Sequence, residues 1–324
     1  MEIKKGCVII RWHFVYNIRK STIRNGVTII MKLKAFGKIN LGLDVVRRRE
    51  NGYHDVRMIM QTVGIFDRLD FQKVKEPGIQ ISTNLSFLPS DKNNLVYQAA
   101  KLLMDEFQIK EGISIDLEKH IPVAAGMAGG SSDCAATLVG VNYMFNLGLS
   151  MEELMERGVK LGADVPYCVM RGTALSEGIG EVLTPLPAMP DCFILIAKPP
   201  ISVSTKFVYE NLQVDELQHH PDIDGMVTAI HEGNLKGITD RMENVLETVT
   251  AAKYPVIEEI KEFMRNHGAM ESIMSGSGPT VFGIYNDREL IEKASRELKD
   301  SGLAKQVFIT YPANKKVGEE EDES

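Results

Sequence analysis

The chain is short of the features that mark metal-bound, secreted or membrane-embedded proteins. Its four cysteines, Cys7, Cys134, Cys168 and Cys192, lie far apart and form no C-x-x-C pair. This argues against zinc sites and a disulfide framework, and makes a reducing cytoplasm the simplest setting. No apolar run approaches the roughly 18 residues that span a bilayer, so no membrane partner is expected. Basic residues are outnumbered by acidic ones outside the first residues. The net charge is −7, with +5 in residues 1–30 and −3 from Ala313 onward, leaving −9 for residues 31–312. So acidic a body argues against nucleic acid as a partner. Also missing are the Gly-Lys-Ser/Thr ending of a P-loop and the G-x-G-x-x-G of dinucleotide folds.

What is present is a different glycine-rich stretch, PVAAGMAGGSSDCAAT, from Pro122 to Thr137. Gly126, Gly129 and Gly130 remove three side chains, so backbone amides can approach an anion, and Ser131 and Ser132 add hydroxyls at a helix start. Ala135, Ala136, Leu138, Val139 and Val141 continue the helix, with Gly148 where a C-terminal cap is expected. An anion there gains from the orphan amides and from the helix dipole. A plain Gly-Ser turn opening a helix is the competing reading, and the length of the run favours the cradle. Cys134 inside it reads as a small packing residue.

The length of 324 residues exceeds one typical domain of about 100–200 residues, so two domains are expected. Residues 1–30 are basic but poor in serine and lack an apolar signal core. They read as an upstream start-site artefact or a dispensable extension, with a bacterial cytoplasm preferred over a plastid. The boundaries expected are 31–187, 188–312 and an acidic, disordered tail 313–324.

From Met31 a strand alternates, with Leu33, Ala35, Ile39, Leu41 and Leu43 expected on one face and Lys34, Lys38, Asn40 and Asp44 on the other. An Asn51-Gly52 turn leads to Tyr53, His54 and a second strand over Val56 to Val63. A helix is expected over 94–107 and a strand over 113–117. Ser150 and Glu153 spell a capping box for a helix to about Lys160, stopping at Gly162. A strand follows at 193–197, then a short helix within 202–212. Residues 223–267 read as mostly helical, ending at Gly268. The last unit, residues 272–285 with a helix over 289–299 and a strand over 306–311, suggests an α+β layer.

Three segments, GKINLGLDV (Gly37 to Val45), the glycine run and MSGSGPTVFG (Met274 to Gly283), resemble in order and spacing the three motifs of the GHMP small-molecule kinases. NGYHDV (Asn51 to Val56) and LGADVPYCVMRG (Leu161 to Gly172) bring the resemblance closest to the branch acting on 4-diphosphocytidyl-2-C-methyl-D-erythritol. It covers residues 31–312. It implies an α+β, two-domain GHMP kinase fold, with an N-terminal ATP-binding domain like ribosomal protein S5 domain 2 and a ferredoxin-like C-terminal layer. It also implies transfer of phosphate from ATP, with Mg2+, to the 2-hydroxyl of that small-molecule substrate, a step of nonmevalonate isoprenoid synthesis, by a monomer or homodimer.

Carried over by position, Asp164 is the implied catalytic base and Lys38 the cation beside it. For ATP the resemblance implies Asn94, Lys119 and the run Pro122, Val123, Ala124, Ala125, Gly126, Met127, Ala128, Gly129, Gly130, Ser131 and Ser132. For the substrate it implies Asn40, Tyr53, His54 and Tyr209, with the His54 ring offering a donor and an acceptor to a cytosine edge. Ser275, Gly276, Ser277 and Gly278 form a third loop expected to close the site. Read alone, Asp164 is a helix cap, Lys38 and Lys119 are solvated charges, Tyr53 and His54 a hairpin tip, and Tyr209 a helix packing residue. Met127 and Ala128 depart from the Gly-Leu-Gly-Ser-Ser of many relatives, and no acid matches a magnesium-binding glutamate, so the metal ligands stay unassigned. Homoserine or mevalonate kinase activity and a noncatalytic binding module on the same fold are the alternatives.

Overall fold

A computed structural model describes residues 17–23 and 26–314. Strand β1 (Asn17–Ile23) pairs antiparallel with β2 (Gly26–Arg48), which turns through Gly52 into β3 (His54–Val74). The first long strand therefore begins before Met31, and the second runs well past Val63. β4 (Ile79–Thr83), α1 (Leu95–Glu106) and β5 (Gly112–Glu118) follow. Next come α2 (Gly129–Met144), α3 (Met151–Val159), α4 (Val165–Met170), β6 (Thr173–Glu177) and β7 (Val182–Pro185). The expected capping box is present, with Ser150 and Glu153 each receiving the other's backbone N–H. Helix α2 stops earlier than Gly148 suggested: Asn146 takes the left-handed turn at φ 51°.

The second half holds β8 (Phe193–Lys198), α5 (Thr205–Asn211), α6 (Ile223–His231), α7 (Leu235–Thr239), β9 (Glu243–Asn244), α8 (Glu247–Lys253) and α9 (Val256–Asn266). It ends with β10 (Glu271–Met274), β11 (Val281–Tyr285), α10 (Arg288–Ser301) and β12 (Gln306–Thr310). The region read as mostly helical thus contains a two-residue strand, β9, that pairs in parallel with β2 at Gly42 and Leu43. One sheet has the path β1-β2-β3-β5-β4 with β6, β7 and β9 attached, and a four-stranded antiparallel sheet has the order β10-β11-β8-β12. Residues 1–16 and 315–324, including Cys7 and the acidic run of the tail, lie outside the described residues.

The even alternation expected along β2 is broken three times. Register shifts fall between Phe36 and Lys38, between Asn40 and Gly42 and between Val45 and Arg47, and the first two flank the cleft residues. Each inserted residue moves the following side chains to the opposite face. Leu33, Ala35, Leu43 and Val45 therefore join one core, while Ile39 and Leu41 join another. Lys38 and Asn40 keep a common face between the shifts, but Lys34 and Asp44 do not share it; Asp44 instead bonds His220 at 2.8 Å. This double reversal puts two polar side chains into the cleft from a strand that is otherwise core.

Helix α2 is apolar nearly all round and is buried against the sheet, α1, α3 and α4, as such a pattern requires. The second core sets Ile39, Leu41 and Ile59 against Ile194, Ile196, Phe282 and Ile284 of the other sheet. Each such side chain contributes about 1.5–3 kcal/mol on full burial. The two sheets are thereby fixed to each other beside β2, where the glycine run and the third loop meet.

Candidate functional site

One cleft of about 1040 Å³ gathers most of the residues expected at the site. Its wall includes Lys38, Asn40, Tyr53, His54, Asn94, Lys119, Pro122 to Gly126, Ala128 to Ser131, Asp164, Tyr209, Gly276 and Ser277. Met127, Ser132, Ser275 and Gly278 are not on that wall. Met127 is buried in the second core, and its carbonyl accepts the Lys38 amide at 3.1 Å. Ser132 turns inward and donates its hydroxyl to the Phe36 carbonyl at 2.6 Å, so it braces the strand that carries Lys38 and leaves Ser131 as the hydroxyl at the helix mouth.

The glycine run coils before α2 through left-handed residues at Ala124 (φ 51°), Gly126 (φ 71°) and Ala128 (φ 55°). Such alternation turns successive N–H groups to one side and makes an anion-binding concavity. Gly126 is required for a second reason. A β-carbon there would lie 2.1 Å from the Ser275 carbonyl oxygen, and the Ser275 hydroxyl donates to the Gly126 carbonyl at 3.0 Å. Glycine run and third loop are locked together at this point.

The Lys38 ammonium donates to Asn40 Oδ1 at 2.6 Å and is buried, with no carboxylate partner among the described residues. Asp164 stands at the N-cap of α4, as its sequence context suggested, yet its carboxylate makes no capping bond and is partly exposed in the cleft. A carboxylate without a structural bond and an ammonium held only by a neutral amide are available to a ligand. Behind them Cys134 and Cys168 are buried, and burial pushes both thiols up, which keeps them unreactive.

On the same cleft wall His54 lies against Tyr209, with ring centroids 5.1 Å apart and an interplanar angle of 36°. His54 is buried, and its Nε2 has no partner. Burial, aided by the Arg48 charge, lowers its pKa, so the ring is neutral near pH 7 and offers one donor and one acceptor. Tyr53 is exposed at the rim.

Two expected ATP residues are engaged in the fold. Asn94 caps α1, accepting the Val96 amide at 2.9 Å and donating to the Pro89 carbonyl at 2.7 Å. Lys119 is buried between Asp67 and Asp133, the latter at 2.6 Å. Burial alone would lower its pKa, but the two carboxylates outweigh that and raise it. Burial also pushes the Asp133 carboxyl up, and its Oδ1 has no partner although Asp133 reaches the cleft wall. Neither carboxylate was anticipated from the sequence; they stand 52 and 14 residues from Lys119.

Among the described residues no cluster of three or more His, Cys, Asp or Glu could cage a metal, and no helix is long and apolar enough to cross a membrane. Magnesium does not need such a cage, since it binds through one or two carboxylates plus phosphates and keeps several waters. The Ser131 hydroxyl can join such a shell.

The GHMP kinases N terminal domain profile matches residues 94–172 and the GHMP kinases C terminal profile residues 226–314. The chain is 58% identical over 281 residues to a protein of Lachnoclostridium phytofermentans named 4-diphosphocytidyl-2-C-methyl-D-erythritol kinase, covering 87% of this chain and 97% of that one. A Lachnospira eligens protein of the same name is 56% identical, covering 86% and 97%. Among solved structures, a 4-(cytidine 5'-diphospho)-2C-methyl-D-erythritol kinase superposes with a TM-score of 0.75 at 29% identity, covering 88% of this chain and all of that one. A homoserine kinase from Cytophaga hutchinsonii, at 18% identity and a TM-score of 0.69 over 91% and 96% of the two chains, shares the fold.

Proposed function

From the premise that this chain belongs to the GHMP kinases, and within them to the 4-diphosphocytidyl-2-C-methyl-D-erythritol kinases, we propose that it transfers the γ-phosphoryl group of ATP to the 2-hydroxyl of 4-diphosphocytidyl-2-C-methyl-D-erythritol. The products are the 2-phosphate and ADP, in nonmevalonate isoprenoid precursor synthesis. The observation that carries this reading is the shared cleft, in which the anion cradle, the uncommitted Asp164 carboxylate and the His54–Tyr209 pair line one wall.

The nucleotide phosphates bind over Pro122 to Ser131, at the start of α2, where amides and helix dipole favour negative charge. The cytosine ring lies at the His54–Tyr209 pair. Its edge meets the neutral imidazole, whose unpartnered Nε2 supplies a hydrogen bond that an alcohol lacking cytosine leaves unmade. That contrast favours this alcohol over homoserine or mevalonate. Asn40 orients the Lys38 ammonium beside the reacting hydroxyl.

Phosphoryl transfer asks the protein mainly for positioning and charge stabilisation. Asp164 accepts the proton of the 2-hydroxyl as its oxygen bonds to the γ-phosphorus and the bond to the β,γ-bridging oxygen breaks. Lys38 stabilises the charge on the transferring group. Magnesium, were it bound, would be held by the phosphates with the Ser131 hydroxyl and would supply charge neutralisation, leaving Asp164 to accept the proton.

The test offers ATP with 4-diphosphocytidyl-methylerythritol, homoserine or mevalonate in separate coupled ADP-release assays. Release with the first alone is expected. Release with another alcohol reassigns the substrate, and tight ATP binding without release for any of them favours a noncatalytic module.

A further inference from the structure

We propose that Asn244, supported by Glu247 and Thr250, is a positioning device that turns the backbone N–H of Ser277 into the cleft, as a donor to an anionic phosphate oxygen of the reacting substrates. This rests on the phosphotransfer reading above. It assigns a task to β9 and α8, which carry none of the three glycine-containing motifs.

Asn244 is buried below the third loop, at the strand that pairs with β2 three residues beyond Asn40. Its Nδ2 donates to the Met274 and Gly276 carbonyls, each at 2.8 Å, while its Oδ1 accepts the Leu246 amide at 3.0 Å. Both amide hydrogens and the carbonyl oxygen are used, so the side chain has one orientation. Three residues on, Glu247 accepts the Met274 amide at 2.6 Å through one oxygen and is held by Lys261 through the other. Three residues further, the Thr250 hydroxyl donates to the Ser277 carbonyl at 3.3 Å. The loop's carbonyls are thus drawn to the buried side.

The consequence follows from peptide geometry. In a planar trans peptide the C=O and the next N–H point in opposite directions. Holding the Gly276 carbonyl on Asn244 therefore directs the Ser277 N–H away from Asn244, to the side where Gly276 and Ser277 form the cleft wall. Of the nearby amides, Gly278 donates to Ser275 at 3.0 Å and Ser275 to Thr280 at 2.9 Å. The Ser277 N–H makes no hydrogen bond among the described residues. Its hydroxyl, 2.8 Å from that of Thr205, ties the same residue to α5, which carries Tyr209. A donor fixed in place before reaction acts without reorganisation.

Asn244→Leu keeps the side chain's bulk but removes the donors that hold the Gly276 carbonyl. Thr250→Val removes one hydroxyl at nearly constant shape, and Thr250→Ser restores it. Loss of one prepositioned oxyanion donor lowers kcat about 10²–10³-fold. The expected result is a fall of that order in Asn244→Leu and a smaller fall in Thr250→Val. KM for ATP and for the alcohol should change little, and Thr250→Ser should recover. In 15N-serine-labelled enzyme, the Ser277 amide resonance should shift on titration with inorganic tripolyphosphate, and do so less in Thr250→Val.

A folded Asn244→Leu variant with wild-type kcat overturns the inference. Should that variant not fold, an unchanged kcat in Thr250→Val, or a Ser277 amide indifferent to tripolyphosphate, does the same. Failure of the wild-type enzyme to phosphorylate 4-diphosphocytidyl-methylerythritol would instead remove the substrate reading, and the tripolyphosphate titration would still report on the amide.

Discussion

Gly126→Ala is the substitution that most directly probes how the glycine run and the third loop are joined. At φ 71° an alanine occupies the left-handed region, which costs about 1–2 kcal/mol. Its β-carbon would lie 2.1 Å from the Ser275 carbonyl oxygen and 3.2 Å from the Gly278 nitrogen, both backbone atoms that cannot swing aside. Forcing a methyl group into such a contact costs typically about 1–3 kcal/mol. The two effects together predict a loss of roughly 2–5 kcal/mol. The third loop must withdraw by about 1 Å, and a misplacement of that size can lower turnover about 10²-fold. Thermal melting and coupled ADP release on the same preparation measure both. Gly130→Ala is the comparison for stability: its β-carbon would meet only Leu95 Cδ1 at 3.7 Å, inside α2, so its melting temperature should hold or rise. A Gly126→Ala enzyme that melts and turns over like the wild type would refute the lock between the two loops.

Four further outcomes are expected. Lys119→Met leaves Asp67 and Asp133 buried without their cation and should cost about 3–5 kcal/mol by chemical denaturation, a loss that adding Asp133→Asn should reduce. Because burial raises the folded-state pKa of Asp133 above its ordinary 3.8, its stabilising contribution is full below that value and declines as pH rises through the folded value; Asp133→Asn should flatten this part of the pH–stability curve, and an unchanged curve would refute the assignment. His54 works in the opposite sense: its folded pKa is lowered from 6.5, so stability should fall as pH drops below that value, and less so in His54→Gln, which should also raise KM for the cytidine-bearing alcohol without changing KM for ATP. Removing residues 1–30 should leave turnover unchanged in the ADP-release assay, because every proposed site residue follows Met31; a large loss would give β1 a role in the reaction.

The parts of the site legible in the sequence are those whose chemistry is local. The Ser150–Glu153 box and the helix opened by the glycine run each satisfy backbone groups within a few residues, so the pattern and the structure coincide. The faces of β2 were not legible, because a bulge adds one residue without altering composition, and two of them return the strand to its first face. Asn244 was hidden for another reason. Its partners are backbone carbonyls 30 and 32 residues away, and no spacing rule links a buried amide to a loop it holds from below. Lys119 showed the same limit from the other side, since a lysine read as a solvated charge proves to be enclosed by two carboxylates brought in by folding.

Phosphoryl transfer by an Asp164→Asn enzyme tests the central claim most directly, measured in a single turnover with ATP and 4-diphosphocytidyl-methylerythritol while nucleotide affinity is followed by calorimetry. Asp164 makes no capping bond, so the substitution should leave folding and ATP binding intact. Loss of the base should lower the transfer rate by about 10²–10⁴-fold. A folded Asp164→Asn enzyme that binds ATP normally and transfers phosphate at the wild-type rate would contradict the account.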